Sequence, residues 1–334
     1  MFKIENHIIG GAKVFIIAEI GINHQGNLKK CKKLIDAAKK SGADAVKLQI
    51  CNPNFSYNKN TLSYKIFKKN FLNIQQLRTI KRYAAKKKIT IFATPGDFQS
   101  LETLKKLNFP AIKLSSGLLT NEALIVEICK LKKPMIFSTG LAFMNEIKKI
   151  SSILNKFKIK HGILKCTSLY PCPENSINLK SIKTLRKKFP KATIGYSDHT
   201  KGIDACVAAV SFGAKIIEKH ITIKNSLKVP DQKVSCDPSQ FKILVKKIRY
   251  IEKITGDENS FPCQAEIKRR ENYHRSIISV KNILKDEFFN KNNIALKRSR
   301  EKIKGLHPKF FFKILGKKAK KNISKDTRIT RNHY

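Results

Sequence analysis

The stretch KIIEKHITI, residues 215–223, carries a β-branched apolar run into Glu218, Lys219 and His220. Alone it has a bland explanation, because a strand with a period of two residues often turns charged side chains to solvent. The rest of the chain decides its meaning. From Val14 onward, β-branched runs alternate with amphipathic helical patterns: VFIIAEIG, DAVKLQI, TIFATP, AIKLSS, PMIFSTG, GILKCTS, ATIGYSDH and KIIEKHITI. The apolar spacing predicts helices over residues 28–40, 75–87, 101–107, 121–131, 145–157, 179–189, 204–212 and 238–254, with an insertion ahead of the second. About eight strand–helix units make the complement of a TIM (β/α)8 barrel, although a doubly wound α/β sheet would alternate in the same way.

The alternation stops beyond the last of these helices. A barrel domain is expected over residues 1–257, a linker over 258–272, and a small β-rich domain over 273–334, with short strands in SIISVKNI, NIALKR and FFFKILGK. Turn residues and lysine runs separate these strands.

Composition narrows the classes. A chain of 334 residues with 41% hydrophobic content can build one large α/β core and a small second one. Its 8 cysteines are scattered without a CxxC pair, so reduced thiols in a cytoplasmic protein are expected in place of a zinc cluster or disulfide framework. VFIIAEIG is too short to span a bilayer and is broken by Glu19, so neither a leader peptide, an anchor nor a membrane partner is expected. The formal charge of +45 invites a nucleic-acid reading. The basic residues, however, occur in nearly every predicted helix, without an aromatic-interleaved patch, which reads as a lysine bias and no nucleic-acid partner. What remains is electrostatic attraction for anionic substrates.

If the runs are barrel strands, their C-terminal ends build the site. Those ends hold Glu19, then Lys47 with Gln49, Thr94, Lys113 with Ser115 and Ser116, Ser138 with Thr139, Thr167 with Ser168, His199, and His220. His24 follows in the loop after Glu19. Singly, such a lysine snorkels, a Ser or Thr caps a helix, and a histidine is structural. Together, two lysines and several hydroxyls at strand–helix turns suit a phosphate or carboxylate, because helix N-termini expose free N–H groups there. His199 and His220, on consecutive strands, could share a divalent metal, with Asp198, Glu218 or Asp231 as neighbouring carboxylates.

Longer segments carry a family resemblance: residues 15–49 (FIIAEIGINHQGNLKKCKKLIDAAKKSGADAVKLQ), FATPGD, AIKLSSG, FSTG, LKCTSLYPCPENSINL, GYSDHTKG, FGAKIIEKHITI and VPDQKVSCDP. In this order they resemble the sialic acid synthase family, the phosphoenolpyruvate-dependent synthases of nonulosonic acids. The tail, with YHRSIISV, ALKRSR and FFKILGKKAKKNISKDT, is similar to the antifreeze-like (SAF) domain that follows the barrel in that family. The resemblance implies an enzyme that condenses phosphoenolpyruvate with an N-acyl hexosamine, N-acetylmannosamine (ManNAc) first among them, releasing phosphate. It implies a domain-swapped homodimer, and Mn²⁺ or Mg²⁺ held by His199 and His220. By motif position, Lys47, Thr94, Lys113, Ser116, Ser138, Ser168 and Ser197 would hold phosphoenolpyruvate. Glu19, Gln49, Tyr170 and Asp231 would line the sugar and reaction centre, Glu19, Glu218 and Asp231 would serve catalysis, and Arg298 would reach the partner's sugar.

The chain departs from the family pattern at Leu118, where SGE is frequent, at Val229–Pro230 before Asp231, at Gln232, and in KRSR around Arg298. These changes bear on substrate choice, so legionaminate and pseudaminate synthases stand as alternatives. A non-catalytic polyanion binder is a reading of another class, marked by steep salt dependence without turnover. A barrel aldolase is a third, marked by a trappable Schiff base.

Overall fold

A hairpin of β1 (Phe2–Ile4) and β2 (His7–Ile9) precedes eight parallel strands that close on themselves. These are β3 (Phe15–Gly21), β4 (Ala45–Ile50), β5 (Thr90–Pro95), β6 (Ile112–Leu114), β7 (Met135–Ser138), β8 (His161–Cys166), β9 (Thr193–Asp198) and β10 (Ile216–His220), with β10 pairing back onto β3. The TIM-barrel reading therefore holds, and the doubly wound sheet does not. The computed structural model describes residues 1–223, 230–256, 258–298 and 305–334, which divide into two compact units, Met1–Gly256 and Asp257–Tyr334.

Strand residues are almost all buried, polar ones included. One face of each strand fills the barrel while the other packs on helices, so neither face meets bulk water. The outer layer consists of α1 (Leu28–Lys40), then α2 (Pro53–Ser56), α3 (Leu62–Lys69) and α4 (Ile74–Lys86) after β4, followed by α5 (Phe98–Leu107), α6 (Glu122–Lys130), α7 (Met144–Lys156), α8 (Ser181–Lys188), α9 (Asp204–Ser211) and α10 (Pro238–Thr255). Local chemistry starts these helices. In α1, the Asn27 side chain accepts from the Lys30 N–H, and Cys31, Leu34, Ile35 and Ala38 form the buried stripe. In α10, Asp237 accepts from the N–H groups of Ser239 and Gln240, ahead of Pro238 at the first helical position. Among the described residues no helix is long and apolar enough to cross a membrane.

Register sets which polar residues become neighbours. His220 lies beside Glu19, Glu19 beside Lys47, Gln49 beside Thr94, and Glu218 beside Ser197. A register shift between Glu19 and Gly21 bends β3 at the level of the first two pairs.

The C-terminal unit pairs β11 (Ser276–Ser279) with β12 (Ile294–Lys297) around a core of Ile277, Ile283, Phe289, Ile294, Leu306, Ile314, Ala319, Ile323 and Ile329. Two expectations change here. Part of the stretch expected as a linker is the helix α11 (Gln264–Tyr273), where Glu266 accepts from the Cys263 N–H. The run FFFKILGK is not a strand; it holds the short helix α12 (Phe311–Ile314) after a 3-10 turn over Pro308–Phe310. Phe310 and Phe311 are half-buried, Phe312 and Lys313 exposed and Ile314 buried, a spacing that no alternating strand can satisfy. All eight cysteines are unpaired.

Candidate active site

The C-terminal ends of the barrel strands surround a cavity of about 440 Å³. Residues two apart on a strand share a face, and five strands, β4, β6, β8, β9 and β10, deliver such pairs into the cavity at or just past their ends: Lys47 with Gln49, Lys113 with Ser115, Cys166 with Ser168, Ser197 with His199, and Glu218 with His220.

The floor is ionic. Lys47 Nζ lies 2.5 Å from Glu19 Oε2 and 3.3 Å from Glu218 Oε2, and Lys113 Nζ lies 3.5 Å from Glu218 Oε1. Lys113 also donates to Ser138 Oγ at 2.6 Å, and Ser197 donates to Glu218 Oε1 at 2.9 Å. Burial alone would raise the Glu218 carboxyl, but Lys113 and Lys47 outweigh it and hold the group at about 2. Burial brings the Lys47 ammonium down to about 8, against the attraction of Glu218. The Thr94 hydroxyl is buried without a hydrogen-bond partner. Ser116 Oγ accepts from the Gly140 N–H at 3.0 Å. A Cβ on Gly140 would sit 2.1 Å from Ser168 Oγ and 2.8 Å from Ser116 Oγ, so only glycine lets these hydroxyls converge.

The two histidines stand side by side, ring centroids 5.6 Å apart. His199 Nδ1 lies 2.9 Å from the Thr167 carbonyl, which can only accept, so this nitrogen carries a proton, and in the neutral ring Nε2 holds the lone pair; burial disfavours the charged ring, but Cys166 and the Thr167 carbonyl outweigh it and raise the imidazole. The Tyr170 hydroxyl lies 2.8 Å from that Nε2, donating to it when the ring is neutral, and the tyrosine ring stacks on the imidazole at 4.0 Å. Cys166 Sγ lies 3.7 Å from Nδ1; burial pushes its thiol up, but His199, Ser116 and Lys113 outweigh this and lower it. His220 Nδ1 is buried without a hydrogen-bond partner, 3.7 Å from Asp231 Oδ2. Burial, with His199 and the lysines nearby, keeps His220 neutral, and burial raises the Asp231 carboxyl. Gly21 makes room for this corner: a Cβ there would meet Asp231 Oδ2 at 2.5 Å, Glu19 Oε1 at 3.1 Å and His220 Cε1 at 3.4 Å.

Most of the site residues expected from the sequence face the cavity: Lys47, Gln49, Thr94, Lys113, Ser116 and Ser138, and on the other side Ser168, Tyr170, Ser197, His199, Glu218 and His220. Glu19 and Asp231 lie behind Lys47 and His220, outside the lining. Others are placed elsewhere. Asp198 points away from the histidines, into an ion pair with Lys219. Thr139 and Thr167 turn their hydroxyls to the carbonyls of Leu164 and Ser176. His24 accepts from the Gly26 N–H, and burial lowers it to about 4. Arg298 is exposed on the C-terminal unit, its guanidinium 5.4 Å from the Tyr273 ring centre. Val229 lies outside the described residues, whereas Leu118 lines the cavity.

Sequence reasoning passed over Tyr57 and Phe67, which the insertion after β4 brings to the cavity, and Leu141 and Cys166. Strand phase could have found Cys166, because it stands two residues before Ser168.

The NeuB family pattern matches residues 34–260. The chain belongs to the NeuB family. It is 36% identical to N,N'-diacetyllegionaminic acid synthase of Campylobacter jejuni over 95% of this chain and 99% of the relative. It is 37% identical to pseudaminic acid synthase of the same species, over 93% and 94% of the two chains. Among solved structures, the N-acetylneuraminic acid synthetase of Leptospira borgpetersenii superposes with a TM-score of 0.78 at 35% identity, covering 81% of this chain and 95% of that one.

Proposed function

We propose that this NeuB-family chain condenses phosphoenolpyruvate with an N-acyl hexosamine to give a nine-carbon, sialic-acid-like sugar and phosphate. The observation that carries the reading is the cavity floor, where Lys47, Lys113 and the hydroxyls of Thr94, Ser116, Ser138, Ser168 and Ser197 converge beside two imidazoles. Such a set binds a small ligand that carries both a phosphate and a carboxylate. The unpartnered Thr94 hydroxyl is satisfied once a ligand oxygen reaches it.

A divalent cation fits this site. His220 offers a buried nitrogen with no hydrogen-bond partner, and His199 an imidazole lone pair at Nε2. His199 and His220 would hold Mn²⁺ or Mg²⁺ with substrate and water as the other ligands, since among the described residues no third His, Cys, Asp or Glu joins them in a ligand cluster. Bound there, the ion would polarise the open-chain aldehyde of the sugar. Lys47 and Lys113 orient and neutralise the phosphoenolpyruvate. Carbon–carbon bond formation from its C3 leaves a cationic C2, and the ionised Glu218, next to both lysines, stabilises that charge. Glu19, ion-paired to Lys47, and Asp231, beside His220, would receive through those two cavity residues the proton of the water that adds at C2 before phosphate departs.

Leu141 lines the cavity after β7, and it and Phe143, two residues on, are left 79% and 76% exposed respectively. This exposed apolar pair supports a cover supplied by a second copy, with the C-terminal unit as an antifreeze-like domain and Arg298 reaching the partner's sugar. ManNAc is the first candidate acceptor. The apolar side of the cavity, with Leu118, Tyr57 and Phe67, and the kinship to Campylobacter legionaminic and pseudaminic acid synthases favour their diacetylated precursors as the second reading.

Phosphate release from phosphoenolpyruvate, measured with Mn²⁺ and each sugar in turn, tests the proposal. Release with one sugar, abolished by EDTA and by His220→Ala, supports it and names the acceptor. A folded protein that releases no phosphate with any of them would overturn it.

A further inference from the structure

Lys219 and Asp198 are register partners on β10 and β9, and both are fully buried on the faces turned away from the cavity. That layer ordinarily packs apolar side chains against helices. Here Lys219 Nζ donates to Asp198 Oδ2 and, beyond the strand end, to the carbonyl of Thr200, both at 2.6 Å. The Asp198 carboxylate accepts further from the Thr200 N–H and hydroxyl, each at 3.0 Å, from the Tyr196 hydroxyl at 2.9 Å, and lies 3.4 Å from Cys206 Sγ on α9. The residues on both sides of His199 are thus tied to Lys219, and Lys219 is the neighbour of His220.

Burying such a pair is a poor route to stability, because well-packed apolar residues of the same volume generally serve as well or better. Geometry is what the pair does supply: it fixes the turn after β9 against the end of β10. We propose that Lys219, Asp198 and Thr200 form a clasp that positions the His199 ring against His220. Lys219 and Asp198 are positioning residues that touch no substrate. The inference rests on reading the two histidines as working residues of the site.

The test is the variant Lys219→Met/Asp198→Leu, which removes both charges together. Its thermal midpoint is measured beside the tautomer pattern of the ¹⁵N-labelled histidine rings without metal and the affinity for Mn²⁺. The expected result is a lowered midpoint with a folded protein at 25 °C, because the Tyr196 hydroxyl and the Thr200 N–H lose their acceptor, a His199 ring spread over both tautomers, and Mn²⁺ affinity at least tenfold weaker. A stable variant with the parent's Nδ1–H tautomer and Mn²⁺ affinity would overturn the clasp. If the parent protein binds no Mn²⁺, the ring tautomers decide the clasp alone, and it is the metal reading that falls. If the double variant does not fold, Lys219→Met/Asp198→Asn is read in the same way.

Discussion

The Tyr170 hydroxyl sits 2.8 Å from His199 Nε2, the one nitrogen of that ring that offers a lone pair in its neutral form. A cation at the histidine pair must therefore displace this hydrogen bond. Tyr170→Phe removes the competition, which for one hydrogen bond is about 1 kcal/mol, or roughly fivefold in affinity. Mn²⁺ titration of the purified variant should show tighter binding, accompanied by a raised sugar KM. Unchanged Mn²⁺ affinity would mean that the ion does not use this nitrogen.

Gly140→Ala should act on the anion alone. Its Cβ would collide with the hydroxyls of Ser168 and Ser116, forcing them apart, while the strand β7 that precedes it remains packed. Loss of one hydrogen bond to a charged ligand costs about 1.5–3 kcal/mol, so the KM for phosphoenolpyruvate should rise roughly 10- to 100-fold. A parallel thermal melt distinguishes this from unfolding.

Two titrations on the cavity floor predict opposite limbs. With Lys47 at about 8, kcat/KM for phosphoenolpyruvate should fall above that pH as one ammonium is lost. The same depression means that between pH 8 and 10.5 the unfolded chain keeps a proton the native state has released, so this group's contribution makes stability rise with pH there. Glu218, depressed from 4.5 to about 2, contributes stability that is full above pH 4.5 and is lost as the pH falls towards 2. Lys113→Met removes one of its two cations; urea unfolding across this range should show about 3–5 kcal/mol of destabilisation at neutral pH and an acid limb displaced to higher pH.

Arg298 should matter to the sugar and not to phosphoenolpyruvate. Arg298→Ala is expected to raise the sugar KM at least about tenfold, the loss of one charge-assisted contact, with the phosphoenolpyruvate KM unmoved. Equal sugar KM values for variant and parent would remove the swapped cover from the proposal.

Much of this was legible in the linear chain. Strand–helix alternation specifies a barrel-sized set of units, and polar residues at the strand ends mark where chemistry gathers, because both follow from local periodicity. Lys47, Lys113, His199 and His220 were found that way and do meet in one cavity. Periodicity shows that residues two apart share a face; it does not say which face turns inward. For that reason Asp198 read as a metal neighbour although its carboxylate belongs to Lys219 on the outer layer, and Cys166 passed unnoticed on the inner one. Tyr57 and Phe67 reach the cavity only because the insertion after β4 brings them there, and Phe311 to Ile314 coil because Phe311 and Ile314, three apart, must both meet one small core. These outcomes depend on contacts between segments far apart in sequence, and such contacts take their energy from burial in the closed barrel and the packed tail, where the sense of each face is finally set.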